Sequence, residues 1–157
     1  MAYALVKLED IPVEHPVRQF DAFWQAKRGE SGCLERPNFD PLDVHKIMPF
    51  IMILDLEMNG DAKTFHYRLC GTGCVDLFGI DYTGKTLGED LPPEATETRR
   101  AEFEAVMTSR QPVYSTTNLP IEGRDFITVY RGVFPVCSQS QDVDQIFVVF
   151  GTHDQAV

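Results

Sequence analysis

Two apolar segments joined by a tight turn determine how this chain can begin to fold. Segment 50–57 is rich in branched and apolar residues, and segment 64–70 alternates aromatic or apolar residues with polar ones. Residues 59–61, Asn-Gly-Asp, separate them. Such runs around a Gly-containing turn predict an antiparallel β-hairpin. The alternation places three side chains of the second strand on one face: Phe65, Tyr67 and Leu69.

Helical spacing precedes the hairpin. Pro16 suits a first helical position, and Val17, Phe20 and Trp24 follow at intervals of three and four residues, which predicts an amphipathic helix of about three turns. Asp40, followed by proline, predicts the cap of a second, short helix. We expect the apolar members of that helix to face inward: Leu42, Val44 and Ile47.

Helices and strands also follow the hairpin. A short helix opens after residues 71–73 and ends at Gly79, and a longer helix is predicted over residues 94–109. Three strand-like runs then cover residues 113–119, 126–136 and 145–150. This order predicts an α+β fold with a five-stranded antiparallel sheet, helices on one face and flanking helices at the N-terminus.

The chain of 157 residues is long enough for one hydrophobic core. We expect an N-terminal arm with its amphipathic flanking helix over residues 1–35, a sheet domain over residues 36–152 and a tail over residues 153–157. The sequence shows neither an apolar run long enough to span a membrane nor a secretion signal. These features predict a cytoplasmic protein.

The segment around the hairpin carries a resemblance to a known family. Residues 67–72 read Tyr-Arg-Leu-Cys-Gly-Thr, and residues 78–85 read Phe-Gly-Ile-Asp-Tyr-Thr-Gly-Lys. Together they resemble a bacterial PAS family of short proteins, commonest in alphaproteobacteria, and the match covers roughly residues 36–151. The resemblance implies a PAS fold and a sensory or interaction module. From the residues themselves we expect Gly71, Gly79 and Gly84 to shape turns, since glycine tolerates positive φ.

A cavity between sheet and helices is the candidate binding site. Its expected members are apolar or aromatic, with Arg131 as an anchor for an anion or carboxylate; the others are Tyr67, Phe78, Phe103, Met107 and Tyr130. The alternative is a filled core, which the strand and helix spacing of these aromatic residues favours. We assign the charged residues of the long helix, Arg99, Arg100, Glu102 and Glu104, to solvated surface.

Charge and cofactor motifs narrow the functions. A net charge of −10 opposes binding to nucleic acid or anionic membranes. The long helix has no histidine to ligate haem, and Cys74 lacks the neighbours of a flavin photosensor, so we expect neither cofactor. The identity of any ligand stays open.

The four cysteines are expected to be reduced thiols: Cys33, Cys70, Cys74 and Cys137. The closely spaced Cys70 and Cys74 have no second cysteine pair to complete a zinc site, so we predict no metal.

Three functions remain open at this point. The first is a sensory PAS module that binds a small ligand or a protein partner and forms a homodimer through Val17, Phe20 and Trp24. The second is a ligand-free scaffold for protein interactions. The third is a small enzyme of the steroid-isomerase type, whose candidate acids would be Asp55, Asp76 and Asp81. We expect no enzyme, because none of these acids has an evident partner.

Overall fold

The computed structural model describes residues 3–30, 32–139 and 141–157. Within these ranges it contains three α-helices: α1 (Pro16–Lys27), α2 (Thr72–Phe78) and α3 (Pro93–Ser109). The strands in the same ranges are β1 (Ala4–Leu5), β2 (Leu34–Glu35), β3 (Ile51–Asn59), β4 (Ala62–Cys70), β5 (Val113–Asn118), β6 (Thr128–Cys137) and β7 (Gln145–Thr152). Short 3-10 helices occupy Leu8–Asp10, Arg36–Asn38, Pro41–Val44 and Met48–Phe50.

The strands form one sheet in the order β1-β5-β6-β7-β3-β4, and these neighbours pair antiparallel. The five long strands are those expected from the sequence, so the α+β prediction is confirmed. Two two-residue strands extend the sheet. β1 lies along β5, and β2 pairs in parallel with the end of β6, beyond the point where β5 stops.

The hairpin of β3 and β4 is confirmed, but its faces differ from the expectation at the end of β4, which includes Leu69. The register shifts between Ile53, opposite Leu69, and Leu54, opposite Tyr67. Because directly opposed residues share a face, this irregularity turns Leu69 away from the face that carries Phe65 and Tyr67. A strict alternation cannot reveal such a shift.

Helix α1 begins as expected at Pro16 and covers one face of the sheet. His15 caps it: the ring Nδ1 accepts a hydrogen bond from the Val17 amide at 3.1 Å. The helix approaches β6 closely at Gly132, where an added Cβ would lie 2.7 Å from Val17 Cγ1. Glycine therefore permits the packing of α1 on the sheet.

Helices α2 and α3 cover the opposite face. α2 ends at Gly79, whose φ of +74° gives the left-handed cap that glycine favours. Gly84 has positive φ too, whereas Gly71 does not; a Cβ on Gly71 would collide with the Pro49 carbonyl oxygen, which explains that glycine. Among the residues described, no helix combines the length and apolar character needed to cross a membrane.

The loop after α2 closes the hairpin edge. The Tyr67 amide donates to the Lys85 carbonyl at 2.8 Å, and the Gly84 amide returns a bond of 2.8 Å to the Tyr67 carbonyl. Asp81 accepts from the Thr83 amide, and Thr83 Oγ1 accepts from the Cys70 amide. Residues 67–85, which carry the family resemblance, thus form one continuous structural unit held by hydrogen bonds between its own residues.

Two further expectations about the fold are wrong. Cys33 and Cys137 form a disulfide that ties the segment after α1 to the end of β6, so only Cys70 and Cys74 are free thiols. Their separation of 104 residues gave no sequence signal for the pairing. Leu42 is 76% exposed, because Pro41–Val44 is a 3-10 helix with a tighter period than the α-helix we expected.

Candidate functional site

A small cavity lies between the sheet and helices α2 and α3. The volume open to the centre of a water molecule is about 20 Å³, which is enough for one water molecule. The wall is mostly apolar and aromatic. It is formed by Met52, Leu54, Tyr67, Phe78, Tyr82, Leu91, Arg99, Phe103, Pro120, Arg131, Val148 and Phe150.

An ion pair crosses from α3 to the sheet beside this cavity. Arg131 of β6 is 1% exposed, and Glu102 of α3 is 6% exposed. Arg131 Nη1 lies 2.7 Å from Glu102 Oε1 and donates a hydrogen bond of 2.8 Å to Oε2. Nη1 also lies 3.3 Å from Ser115 Oγ. The pair fixes α3 over β6, and water does not screen it.

Two of the three guanidinium nitrogens of Arg131 remain unused. Nε and Nη2 are buried and have no hydrogen-bond partner among the described residues. The Tyr82 hydroxyl, also buried in the cavity wall, has none either. Buried polar groups are nearly always paired, so these unpartnered atoms make the cavity the candidate functional site.

Arg99 adds a second buried cation. It lies one turn before Glu102 on α3 and lines the cavity. Burial, helped by the nearby charge of Arg131, lowers the pKa of Arg99 to about 10. The arginine nevertheless stays protonated at neutral pH. Two cations against one carboxylate leave the site with a surplus positive charge.

Aromatic side chains form the rest of the wall. The Tyr67 and Tyr82 rings stack with centroids 5.2 Å apart, and Phe78 meets Tyr82 edge-on at 5.7 Å. The Arg131 guanidinium lies 5.3 Å from the Phe150 ring centroid. Burial raises the pKa of Tyr67 to about 12, so the phenol is neutral. The site is apolar and cationic at once.

The ion pair also reaches the N-terminal arm. The Tyr3 hydroxyl donates a hydrogen bond of 2.7 Å to Glu102 Oε2, the oxygen that accepts from Arg131. Burial raises the pKa of Tyr3, and the Glu102 charge adds to the effect. Arg131 and Tyr3, the residue that precedes β1, are therefore connected through one carboxylate oxygen.

Comparison with protein families identifies the fold family. Residues 13–150 match the model of a PAS domain. The chain belongs to the PAS domain family. No curated protein matches this PAS chain. Among solved structures, it is similar to a sensory box histidine kinase/response regulator from Burkholderia thailandensis E264. That similarity has a TM-score of 0.43 and 9% identity, and it covers 72% of this chain and 84% of that one.

The PAS fold brings four of the six expected cavity residues together. Tyr67, Phe78, Phe103 and Arg131 line the cavity. Met107 is half-buried on α3 but outside the cavity wall. Tyr130 lies on the other face of the sheet, because it precedes Arg131 on β6 and successive strand residues alternate; there it stacks on His153 at 4.1 Å.

The stripe expected to form a dimer contact is buried within the chain. Val17, Phe20 and Trp24 are fully buried against the sheet, and Trp24 Nε1 donates a hydrogen bond of 3.0 Å to the Pro135 carbonyl. The placement on a dimer surface is corrected for all three, because their own sheet covers them. A homodimer through another surface stays a prediction.

None of the acids considered for an isomerase lines the cavity. Asp55 is half-buried and binds Arg68 at 2.8 Å and Gln145 at 2.7 Å. Asp76 and Asp81 are exposed. The acid that pairs with the cavity wall is instead Glu102, through Arg131.

Sequence reasoning missed three polar members of the site. The sequence assigns Arg99 and Glu102 to solvated surface, and it names Tyr82 only within the segment that carries the family resemblance. A signal was present: the buried residues of α3 share one helical stripe, and its charged members sit at the same spacing as its apolar ones. These residues are Thr96, Arg99, Glu102, Phe103 and Val106.

The free thiols offer no metal site. Cys70 and Cys74 are buried, and burial raises the pKa of both, which disfavours the thiolate that binds metals. In the portions of the chain that the structure describes, no cluster of three or more His, Cys, Asp or Glu side chains could hold an ion.

Proposed function

We propose that this PAS domain is a non-enzymatic, cytoplasmic sensory module that binds a small molecule in the cavity and passes the signal to a protein partner. The observation that carries the proposal is an apolar cavity, lined by Arg99, Arg131 and Tyr82, in which two Arg131 nitrogens and the Tyr82 hydroxyl lack partners among the described residues. Ligand sites combine this kind of apolar wall with a few placed polar groups.

The size of the cavity requires that an organic ligand bind by a population shift. Room for one water cannot hold an organic ligand, so binding selects an opened form in which α3 or the loop carrying Leu91 has moved. The Arg131–Glu102–Tyr3 chain of contacts then links that opening to the N-terminal arm. The arm is a suitable output element, since β1 holds the sheet edge by two residue pairs only.

Native mass spectrometry of freshly purified protein tests this proposal. We expect a bound small molecule that denaturation releases. Val148→Ile adds one methylene to the cavity wall and should lower its occupancy, whereas Val13→Ile, on the exposed surface, should leave it unchanged. A clean apo mass for the unmodified protein would contradict ligand sensing.

A ligand-free interaction module is the second candidate. The small cavity volume favours it, because one bound water could satisfy the free Arg131 nitrogens. The same mass measurement separates the two candidates, and sedimentation of the purified protein tests the homodimer that both allow.

A further inference from the structure

We propose that the ligand is a small carboxylate carrying one negative charge, held by the free edge of the Arg131 guanidinium. This inference rests on the proposed function, since it names the chemical class of the molecule that the cavity accepts.

The unused nitrogens of Arg131 define the shape of the partner. Nη1 already serves Glu102 and Ser115. Nε and Nη2, which are free, lie side by side along one edge of the planar guanidinium. Two parallel donors match the two oxygens of a carboxylate, which such an edge binds in bidentate fashion. A single-atom anion can bridge both donors but does not match their parallel directions.

The charges of the site narrow the chemical class of the ligand further. Arg99 and Arg131 contribute two positive charges, and Glu102 contributes one negative charge, all largely buried. One further negative charge neutralises the site. A doubly charged phosphate would leave a buried excess of negative charge, and a neutral ligand would leave the Arg99 charge uncompensated.

The walls select the remainder of the molecule. The rest of the cavity wall is apolar or aromatic and includes Tyr67 and Phe103, so the atoms beyond the carboxylate must be apolar. The Tyr82 hydroxyl, which has no partner among the described residues, is a further donor in the cavity wall. The closed cavity favours short chains, since each added carbon requires a wider opening.

Matched acid and amide pairs test the inference. The probes are acetate and acetamide, butyrate and butyramide, and phenylacetate and phenylacetamide, each titrated to about 10 mM by calorimetry. The side-chain Nε–H NMR signal of Arg131 reports contact at the free edge. We expect at least about tenfold tighter binding of each bound acid than of its amide, with a shift of that signal.

Chloride and inorganic phosphate are the competing anions in the same titration. Binding of either at the Arg131 signal as tightly as the best acid would overturn the inference. Equal binding of acids and amides would overturn it too, while leaving the cavity as a ligand site.

Two variants test whether the acids bind at the Nε and Nη2 edge of the Arg131 guanidinium. Arg131→Lys keeps a cation beside Glu102 but removes the two parallel donors, and we expect about tenfold weaker acid binding. Tyr82→Phe removes an unpartnered hydroxyl and is the safeguard if the lysine variant does not fold; we expect acid binding several-fold weaker. Tyr130→Phe, on the opposite face, is its control and should bind as the unmodified protein does.

The outcomes separate the inference from the proposed function. Acid binding unaffected by both Arg131→Lys and Tyr82→Phe contradicts this site. Failure of all probes to bind overturns the carboxylate inference. The proposed function then stands or falls on the bound mass that the purified protein carries.

Discussion

The two faces of the central sheet differ in what they bury: one packs aromatic rings, and the other contains an ion pair beside a cavity. Under α1 the packing is aromatic: the centroid of the Phe20 ring lies 4.9 Å from that of Phe134 and 5.9 Å from that of Phe147. Under α3 the same strands carry Arg131 against Glu102 beside a cavity with unpaired donors. Neighbouring residues of β6 alternate between these two environments.

The difference separates stability from function within one sheet. A well-packed apolar face holds a fold with a single arrangement. A buried ion pair adds little net stability compared with apolar packing, so retaining one argues for a role in selecting a ligand or a conformation. We therefore expect substitutions under α1 to change the free energy of unfolding, and substitutions under α3 to change binding as well.

Truncation under α1 should have the largest effect. Phe20→Ala removes a fully buried ring from three aromatic contacts, and we expect it to lower the free energy of unfolding by about 4 kcal/mol. Denaturant titration measures the loss. Phe126→Ala removes a ring that is 75% exposed and should cost less than about 0.5 kcal/mol. Equal losses would contradict the packing of α1 on its own sheet.

Breaking the ion pair under α3 should come next. Arg131→Met leaves the buried Glu102 carboxylate without its partner, and we expect a loss of about 3 kcal/mol, which Arg99 nearby limits. Adding Glu102→Leu removes that stranded charge and should recover much of the loss.

The double variant tests whether Arg131 and Glu102 are energetically coupled. Recovery of stability in denaturant titration identifies a coupled pair, whereas additive losses would mean that Arg131 and Glu102 act independently.

Much of the fold was predictable because local patterns agree with it. Pro16 and the spacing of Val17, Phe20 and Trp24 located α1, and the branched runs located the five long strands. The role of α1 was not predictable in the same way. An amphipathic stripe shows that a helix covers something apolar, but not whether that surface belongs to its own chain or to another.

The cavity was only partly predictable. Aromatic residues such as Tyr67 and Phe103 stand out in the sequence, whereas Arg99 and Glu102 look like ordinary helix surface. Their burial depends on long-range pairing with β6, whose partner Arg131 lies 29 residues after Glu102. The disulfide was missed for the same reason, since Cys33 and Cys137 meet only after the sheet has formed.

His15 offers a smaller, pH-dependent test of the α1 face. Its Nδ1 accepts from Val17, and its Nε2 lies 3.0 Å from the Thr152 carbonyl oxygen, which requires a neutral ring that donates from Nε2. Burial lowers the pKa of His15 below its ordinary value. Its contribution is thus complete above the unfolded-state pKa of about 6.5 and is lost as pH falls through the lower folded-state pKa.

His15→Asn keeps a capping side chain but cannot reach Thr152, so we expect a loss of about 1 kcal/mol at pH 7.5 and a smaller decline in stability below pH 6.5. Thermal unfolding between about pH 5 and pH 7.5 measures both quantities. His45→Asn, at an exposed position, should retain the decline of the unmodified protein. An unchanged pH profile in His15→Asn would assign the decline to other groups.

The smallest change in stability contrasts two tyrosine hydroxyls on opposite faces. Under α1, the Tyr114 hydroxyl donates to Asp21. Under α3, the Tyr82 hydroxyl is buried without a partner in the described residues. Tyr114→Phe should therefore cost about 1 kcal/mol, while Tyr82→Phe should be neutral or stabilising by up to about 1 kcal/mol, because removing an unpaired buried hydroxyl removes its desolvation cost. Denaturant titration of both variants, without added carboxylate, compares them directly. A loss of stability in Tyr82→Phe equal to that in Tyr114→Phe would show that the Tyr82 hydroxyl already has a partner, such as a bound water, and would make the two faces alike in this respect.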